Sequence, residues 1–322
     1  MRAARVVAID CMMATWAMCS QLVAASADPL AQKSSFEPGR AERIQALHDP
    51  RLSGGITTTY SPGYEHHARE LQRFISGELR FVHRELGVEL DLSVAVLNEQ
   101  QWGRVEHQVP YPTPSVTGVP PVAMLAASWS TADHVFPKES EVSPAILRLV
   151  AEHGLTWLPA VHRAFDLVGG HELGHVVVDA YGITPGTHWL NEMLASYVLY
   201  SYLKQERPDL LWLVAVLKEA SRIDHPQDHT SLNDFESQYM IILTQDAGSY
   251  AWYQAQFLSR IEQIYPRHGI SFLKSVREVF PSDGAQLFAV GTTNTLGRLE
   301  EIEPGFSAWA ASLAPLFPKQ ER

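Results

Sequence analysis

The sequence predicts an α+β fold in which a small mixed β-sheet lobe precedes a mainly helical lobe. Three observations carry this. Strand-like runs are confined to the part of the chain before about residue 140. From Pro144 onward, apolar residues recur at spacings of three and four almost throughout, the period of a helix with one buried face. The 322 residues are 46% hydrophobic and 19% charged, which is the composition of a chain that packs a core.

In chain order, residues 1–27 read as an export signal. Arg2 and Arg5 precede an apolar stretch from Val6 to Val23, and Ala25-Ser26-Ala27 offers a small-residue cleavage site. The expected location is therefore periplasmic or extracellular. Both cysteines, Cys11 and Cys19, fall inside that stretch, so a metal site in the mature chain must use His, Asp and Glu. Residues 28–55 are polar and rich in turn formers, and are expected to form a flexible lead-in with at most one short helix.

A sheet-containing lobe is expected over residues 56–140. From Tyr64, Ala68, Leu71, Phe74, Ile75, Leu79, Phe81, Val82 and Leu86 keep helical spacing up to Gly87, a C-cap. "VELDLSVAVLN" then alternates like a strand, with Leu92, Val94 and Val96 inward. The run Val122–Ala127 follows Pro120 and Pro121, which cannot donate ladder hydrogen bonds, so it is expected at a sheet edge where an extended peptide could add. Helices are expected at 144–153, 159–182, 189–206, 208–223, 235–246, 249–266, 270–280 and 305–316, forming a lobe over 141–322 that packs with the first as one unit. A net charge of −11 argues against a nucleic-acid partner, and no apolar run in the mature chain reaches membrane-spanning length. The oligomeric state is not legible.

His171-Glu172-Leu173-Gly174-His175 is an H-E-x-x-H pattern. Residues four apart share a helix face, so both imidazoles can address one ion, while Glu172 sits about a hundred degrees around the helix, placed to act as a base. Two histidines and a glutamate in so apolar a helix are costly unless paired or metal-bound. A hydrolytic zinc site takes three protein ligands and keeps one position open. Glu192, seventeen residues after His175 across a turn containing Gly182, Pro185 and Gly186, is the third candidate. His188 is an alternative ligand, and Asp179 could orient an imidazole.

"HELGH" followed by "WLNEMLASY" resembles the gluzincin zinc metallopeptidases, and the second segment is similar to the W-L-N-E-G-F-A-x-Y stretch of M1 aminopeptidases. The resemblance implies a zincin-like (thermolysin-like) catalytic domain that takes one zinc ion. His171, His175 and Glu192 would be the ligands, Glu172 the general base, and a peptide or protein the substrate. The spacer before Glu192 is shorter than in M1 enzymes, and "TGVPPVAMLAAS" lacks their amine-binding G-x-M-E-N, so aminopeptidase specificity is not implied. By the same resemblance Tyr250 or Tyr253, in "GSYAWYQAQFLSRIEQIY", would steady the oxyanion, with His225 and His229 as further possibilities. Two other functions fit the residues: a zincin-fold binding or scaffold protein with little turnover, and a zinc hydrolase of a non-peptide amide or ester.

Overall fold

The computed structural model describes residues 39–107, 109–118, 120–134, 136–222, 230–282 and 290–313. The expected export signal lies outside them. Among the described residues no helix is long and apolar enough to cross a membrane.

The first half comprises α1 (Arg40–Ala46), β1 (Arg51–Leu52), β2 (Thr58–Tyr60), α2 (Glu65–Leu86), β3 (Ser93–Leu97), α3 (Glu99–Val105), β4 (Ser115–Thr117) and β5 (Val122–Ala126). Its sheet has the order β1-β2-β3-β5-β4; the three inner strands are parallel and the two outer ones antiparallel to their neighbours. Helix α2 is the crossover that lets β2 and β3 run parallel. It ends where expected, at Gly87, whose left-handed φ of 69° lets its N–H bond the His83 carbonyl.

The second half holds α4 (Pro144–Glu152), α5 (Trp157–Asp166), α6 (Val168–Ala180), α7 (His188–Glu206), α8 (Trp212–Arg222), α9 (Leu232–Ser237), α10 (Tyr239–Gln245), α11 (Ala247–His268), α12 (Ser271–Val279), α13 (Thr292–Ile302) and α14 (Phe306–Leu313). One continuous apolar core joins the halves: Val94, Val96 and Leu125 of the sheet pack into the same cluster as Leu173 of α6 and Leu194 of α7. The alternate residues Ala95, Leu97, Val122 and Met124 face a smaller cluster with Ile44 of α1 and with Trp102 and Val105 of α3. Both sheet faces are thus covered, as the period of two along β3 and β5 requires.

Three expectations are corrected. Val122–Ala126 is an inner strand, not an edge, because Pro120 and Pro121 lie before it and the proline-rich stretch supplies its own outer strand, β4. The lead-in holds its expected short helix, α1, but is tied into the fold from residue 39: β1 joins the sheet, and buried Arg40 pairs with Glu106 and donates to Ser115 Oγ of β4 at 3.1 Å. The expected helix 159–182 is two, α5 and α6, broken at Leu167.

Where α6 crosses α2 and α7 the packing leaves no room for a Cβ. A Cβ on Gly170 would lie 2.8 Å from Leu199 Cδ1 and 2.5 Å from Glu78 Oε2. Glu78 is fully buried with neither carboxyl oxygen hydrogen-bonded, and burial pushes its carboxyl well above the usual range. A Cβ on Gly174 would press on the Ala195 carbonyl oxygen and lie 2.8 Å from Ala195 Cα, so α6 and α7 meet backbone to backbone. Gly174→Ala must separate the helices, and equilibrium denaturation should show a loss of about 1–3 kcal/mol. An unchanged midpoint would mean that the helices are not in this contact in solution.

A second tie fastens the sheet to the helices. His67 of α2 reaches the Ala127 carbonyl at 2.9 Å and Asp166 Oδ2 at 3.1 Å, and Trp129 Nε1 donates to Asp166 Oδ1 at 2.9 Å. Burial, the largest single influence, would lower the His67 imidazole, but the bond to and charge of Asp166, the Ala127 carbonyl and the Glu70 charge together outweigh it and raise the pKa to about 9. A raised histidine pKa gives stability that is complete below the unfolded value, about 6.5, and lost as pH climbs through the folded one. The wild-type melting temperature should therefore fall between pH 7 and 9.5 by several degrees more than that of His67→Gln; parallel curves would refute the pairing.

Candidate metal centre

Helices α6 and α7 run antiparallel from a turn in which Gly182 adopts a φ of 80°. His171 and His175 lie one turn apart on the face of α6 toward α7, their rings 4.8 Å apart and nearly perpendicular at 85°. Glu192 sits in the first turns of α7, with Oε2 3.3 Å from His171 Nε2 and 3.7 Å from His175 Nε2. Ligand atoms from the three residues all lie within 4.8 Å of one another, a group that could hold a metal ion. The two histidines are each 3% exposed, Glu172 2% and Glu192 0%.

The donor set fits an ion. Neither ring nitrogen of buried His175 makes a hydrogen bond, a condition that native interiors rarely leave uncompensated. Burial favours a neutral His171, whose pKa is lowered. Burial would likewise lower His175, but the Glu192 carboxylate reverses this and the net shift is upward. For Glu192 burial acts to raise, yet the His175 and His171 imidazoles hold the carboxyl well below its ordinary range. Glu172 is pushed up to about 8, by burial first and by the Glu192 charge, against His175. The group thus pairs a Glu192 carboxyl held toward its ionised form with a Glu172 carboxyl that burial pushes toward its protonated one.

Glu192 is held by three donors. Tyr239 OH reaches Oε1 at 2.9 Å, while Tyr250 OH and Gln254 Nε2 reach Oε2 at 2.8 and 2.9 Å. His171 Nδ1 lies 2.9 Å from Ser196 Oγ, one turn further along α7 from Glu192. Of the two tyrosines expected near the centre, Tyr250 is there, bonded to the third ligand. Tyr253 is not: its hydroxyl donates to the Ser231 carbonyl at 2.6 Å, because its position on α11 turns it toward Phe235. His188 is no ligand; its Nδ1 and backbone N–H both bond Glu236 at 2.8 Å, and its ring stacks on Tyr239 at 4.1 Å. Asp179 is exposed and orients neither imidazole. His225 and His229 lie outside the described residues.

Sequence reasoning missed Tyr239, Gln254 and Ser196. Two of these carried a signal. Ser196 follows Glu192 by four and Gln254 follows Tyr250 by four, the spacing that places polar groups on one helix face. Tyr239 carried none, since only the fold of α9 and α10 brings it to the centre. Comparison with protein-family models, curated proteins and solved structures gives no match, so the centre is interpreted from its own geometry.

A cation seated among these atoms disfavours a proton on His175 and on Glu172, both raised in the metal-free chain. Uptake of a divalent ion at pH 7 should therefore expel at least one proton and tighten about tenfold per pH unit per proton released. Calorimetry in two buffers of different ionisation enthalpy measures the number; a value of zero would contradict the placement of the ion.

Proposed function

We propose that the protein is an exported zinc metallohydrolase with a thermolysin-like catalytic domain, acting as a peptidase on peptide or protein substrates. The observation that carries this is the buried His171–His175–Glu192 group, three donors of the types zinc takes, with the Glu172 carboxyl next to it. The H-E-x-x-H and W-L-N-E segments supply the same four residues by resemblance. The apolar run Val6–Val23 within residues 1–27 supports export.

In this reading His171, His175 and Glu192 would hold the ion. When bound, it supplies a Lewis acid and a water of lowered pKa. Glu172 would take up the proton at its carboxylate and return it to the leaving nitrogen; burial raises this carboxyl, and a cation beside it would favour the ionised form that the first transfer needs. Tyr250 is close enough to serve the oxyanion only by giving up its bond to Glu192. Tyr253, committed to Ser231, takes no part.

One observation favours a second reading, a metal-holding protein with little turnover: all four residues are at most 3% exposed, so the described chain seals the centre against a peptide. Metal analysis and a peptide-library assay on wild type, Glu172→Gln and Glu192→Ala separate the two. Glu172→Gln should keep its metal and lose roughly 10²–10⁴-fold in turnover. Glu192→Ala should lose more affinity than the roughly 10–100-fold that outer partners contribute. Metal retention by Glu192→Ala would overturn the ligand assignment, and a loaded wild type that cleaves nothing Glu172→Gln spares would establish the second reading.

A further inference from the structure

We propose that the cleft between α2, α5 and the segment joining α7 to α8 binds a small organic anion, a carboxylate or phosphate monoester whose oxyanion is received by Arg73 and Arg163 and whose apolar body rests on the leucines below. The site is separate from the buried centre and goes beyond the metal reading.

The cleft has a volume of about 440 Å³, within the range of small-molecule sites, and none of His171, His175 and Glu192 lines it. Its walls come from elements distant in the chain: Glu70 and Arg73 from α2, Arg163 and Asp166 from α5, and Arg207 from the segment that follows α7. The same cleft is lined by Leu71, Phe74, Leu167, Leu210 and Leu213, all part of the buried core. A ligand here meets guanidiniums at the exposed side and hydrocarbon at the buried one.

The state of the arginines sets this cleft apart. In a chain with 36 acidic and 25 basic residues a carboxylate partner is easy to find, and Arg40, Arg69, Arg84, Arg207 and Arg267 each have one. Arg73 and Arg163 are exposed and bond none among the described residues. Each has a carboxylate three positions away on its own helix, Glu70 and Asp166, a spacing at which ion pairs form. Neither pair forms. Asp166 has both oxygens occupied, Oδ2 by His67 at 3.1 Å and Oδ1 by Trp129 at 2.9 Å. Glu70 turns to His66, at 3.7 Å. Arg207 is spent on Asp209, at 2.9 and 2.8 Å, a carboxylate that Arg163 reaches through its charge alone. The cleft is thus left with two forks of N–H donors and no acceptor for them. A guanidinium fork matches two oxygens of a carboxylate or phosphate side by side, and either group has lone pairs enough for two forks.

Phenyl phosphate and benzoate are the probes, titrated by calorimetry at low salt into the full chain after its metal has been removed by chelation and dialysis. At least one should bind one-to-one, the tighter naming the oxyanion, and inorganic phosphate, which has no apolar body, should bind more weakly than phenyl phosphate. Arg73→Gln and Arg163→Gln should each weaken the tighter probe roughly fivefold or more, the scale of one exposed ion pair. Glu70→Gln, which removes a facing negative charge, should tighten it. Arg148→Gln, an exposed arginine on α4 outside the cleft, should leave it unchanged. Because all four side chains are exposed, the variants should melt as wild type does. Failure of both probes to bind, undiminished binding in the two cleft variants, or an equal loss in Arg148→Gln would overturn the proposal. Since no metal is present in these titrations, their outcome is independent of the metal reading.

Discussion

At Gly174 the backbones of α6 and α7 touch, and the convergence of His171, His175 and Glu192 is a consequence of that contact. Helices whose contact residues carry side chains sit about 8–10 Å apart, axis to axis. A missing Cβ lets Ala195 approach α6 closely enough for the short side chain of Glu192 to reach both imidazoles. The same approach sets Ser196, the next residue, against His171. Gly170 repeats the device one turn earlier, against Leu199. The motif residues would face the right way without this contact, but they would not converge.

Convergence places an ionised carboxylate in an interior where unpaired charge is expensive. The structure offsets this with short bonds from Tyr239, Tyr250 and Gln254, each from a helix beyond the pair that carries the ligands. His188 and Glu236 brace Tyr239 in turn. Helices α10 and α11 are therefore tied electrostatically to the centre as well as through the apolar core. This gives the long helical segment after the motif a role: the buried group comes from two helices, but the groups that make Glu192 tolerable come from two others.

Much of this was legible in the sequence, and what was not has physical causes. The α+β order, α2 with its Gly87 cap and the helical span of α7 follow from local period and capping, which a chain writes into itself. The grouping of His171, His175 and Glu192 was legible because residues four apart share a helix face, and the structure brings those three together. The strand at Val122 was misplaced because edge or interior status depends on what pairs with it, and β4 is too short and proline-flanked to announce itself. The break at Leu167 was hidden because apolar residues continue across it. Tyr250 and Tyr253 could not be told apart by spacing; three residues apart on one helix, they diverge toward Glu192 and Ser231 through packing alone.

The depth of the centre also bears on time. With its donors between 0% and 3% exposed, an ion held there has no path outward through side-chain rotation. Release would wait for α7 or α10 to part from α6, an opening of the local kind that costs a definite fraction of the global stability. Loss to a chelator would then proceed at the rate of that opening and saturate as chelator is added. The residence time of the ion, more than its affinity, would be the property this packing governs.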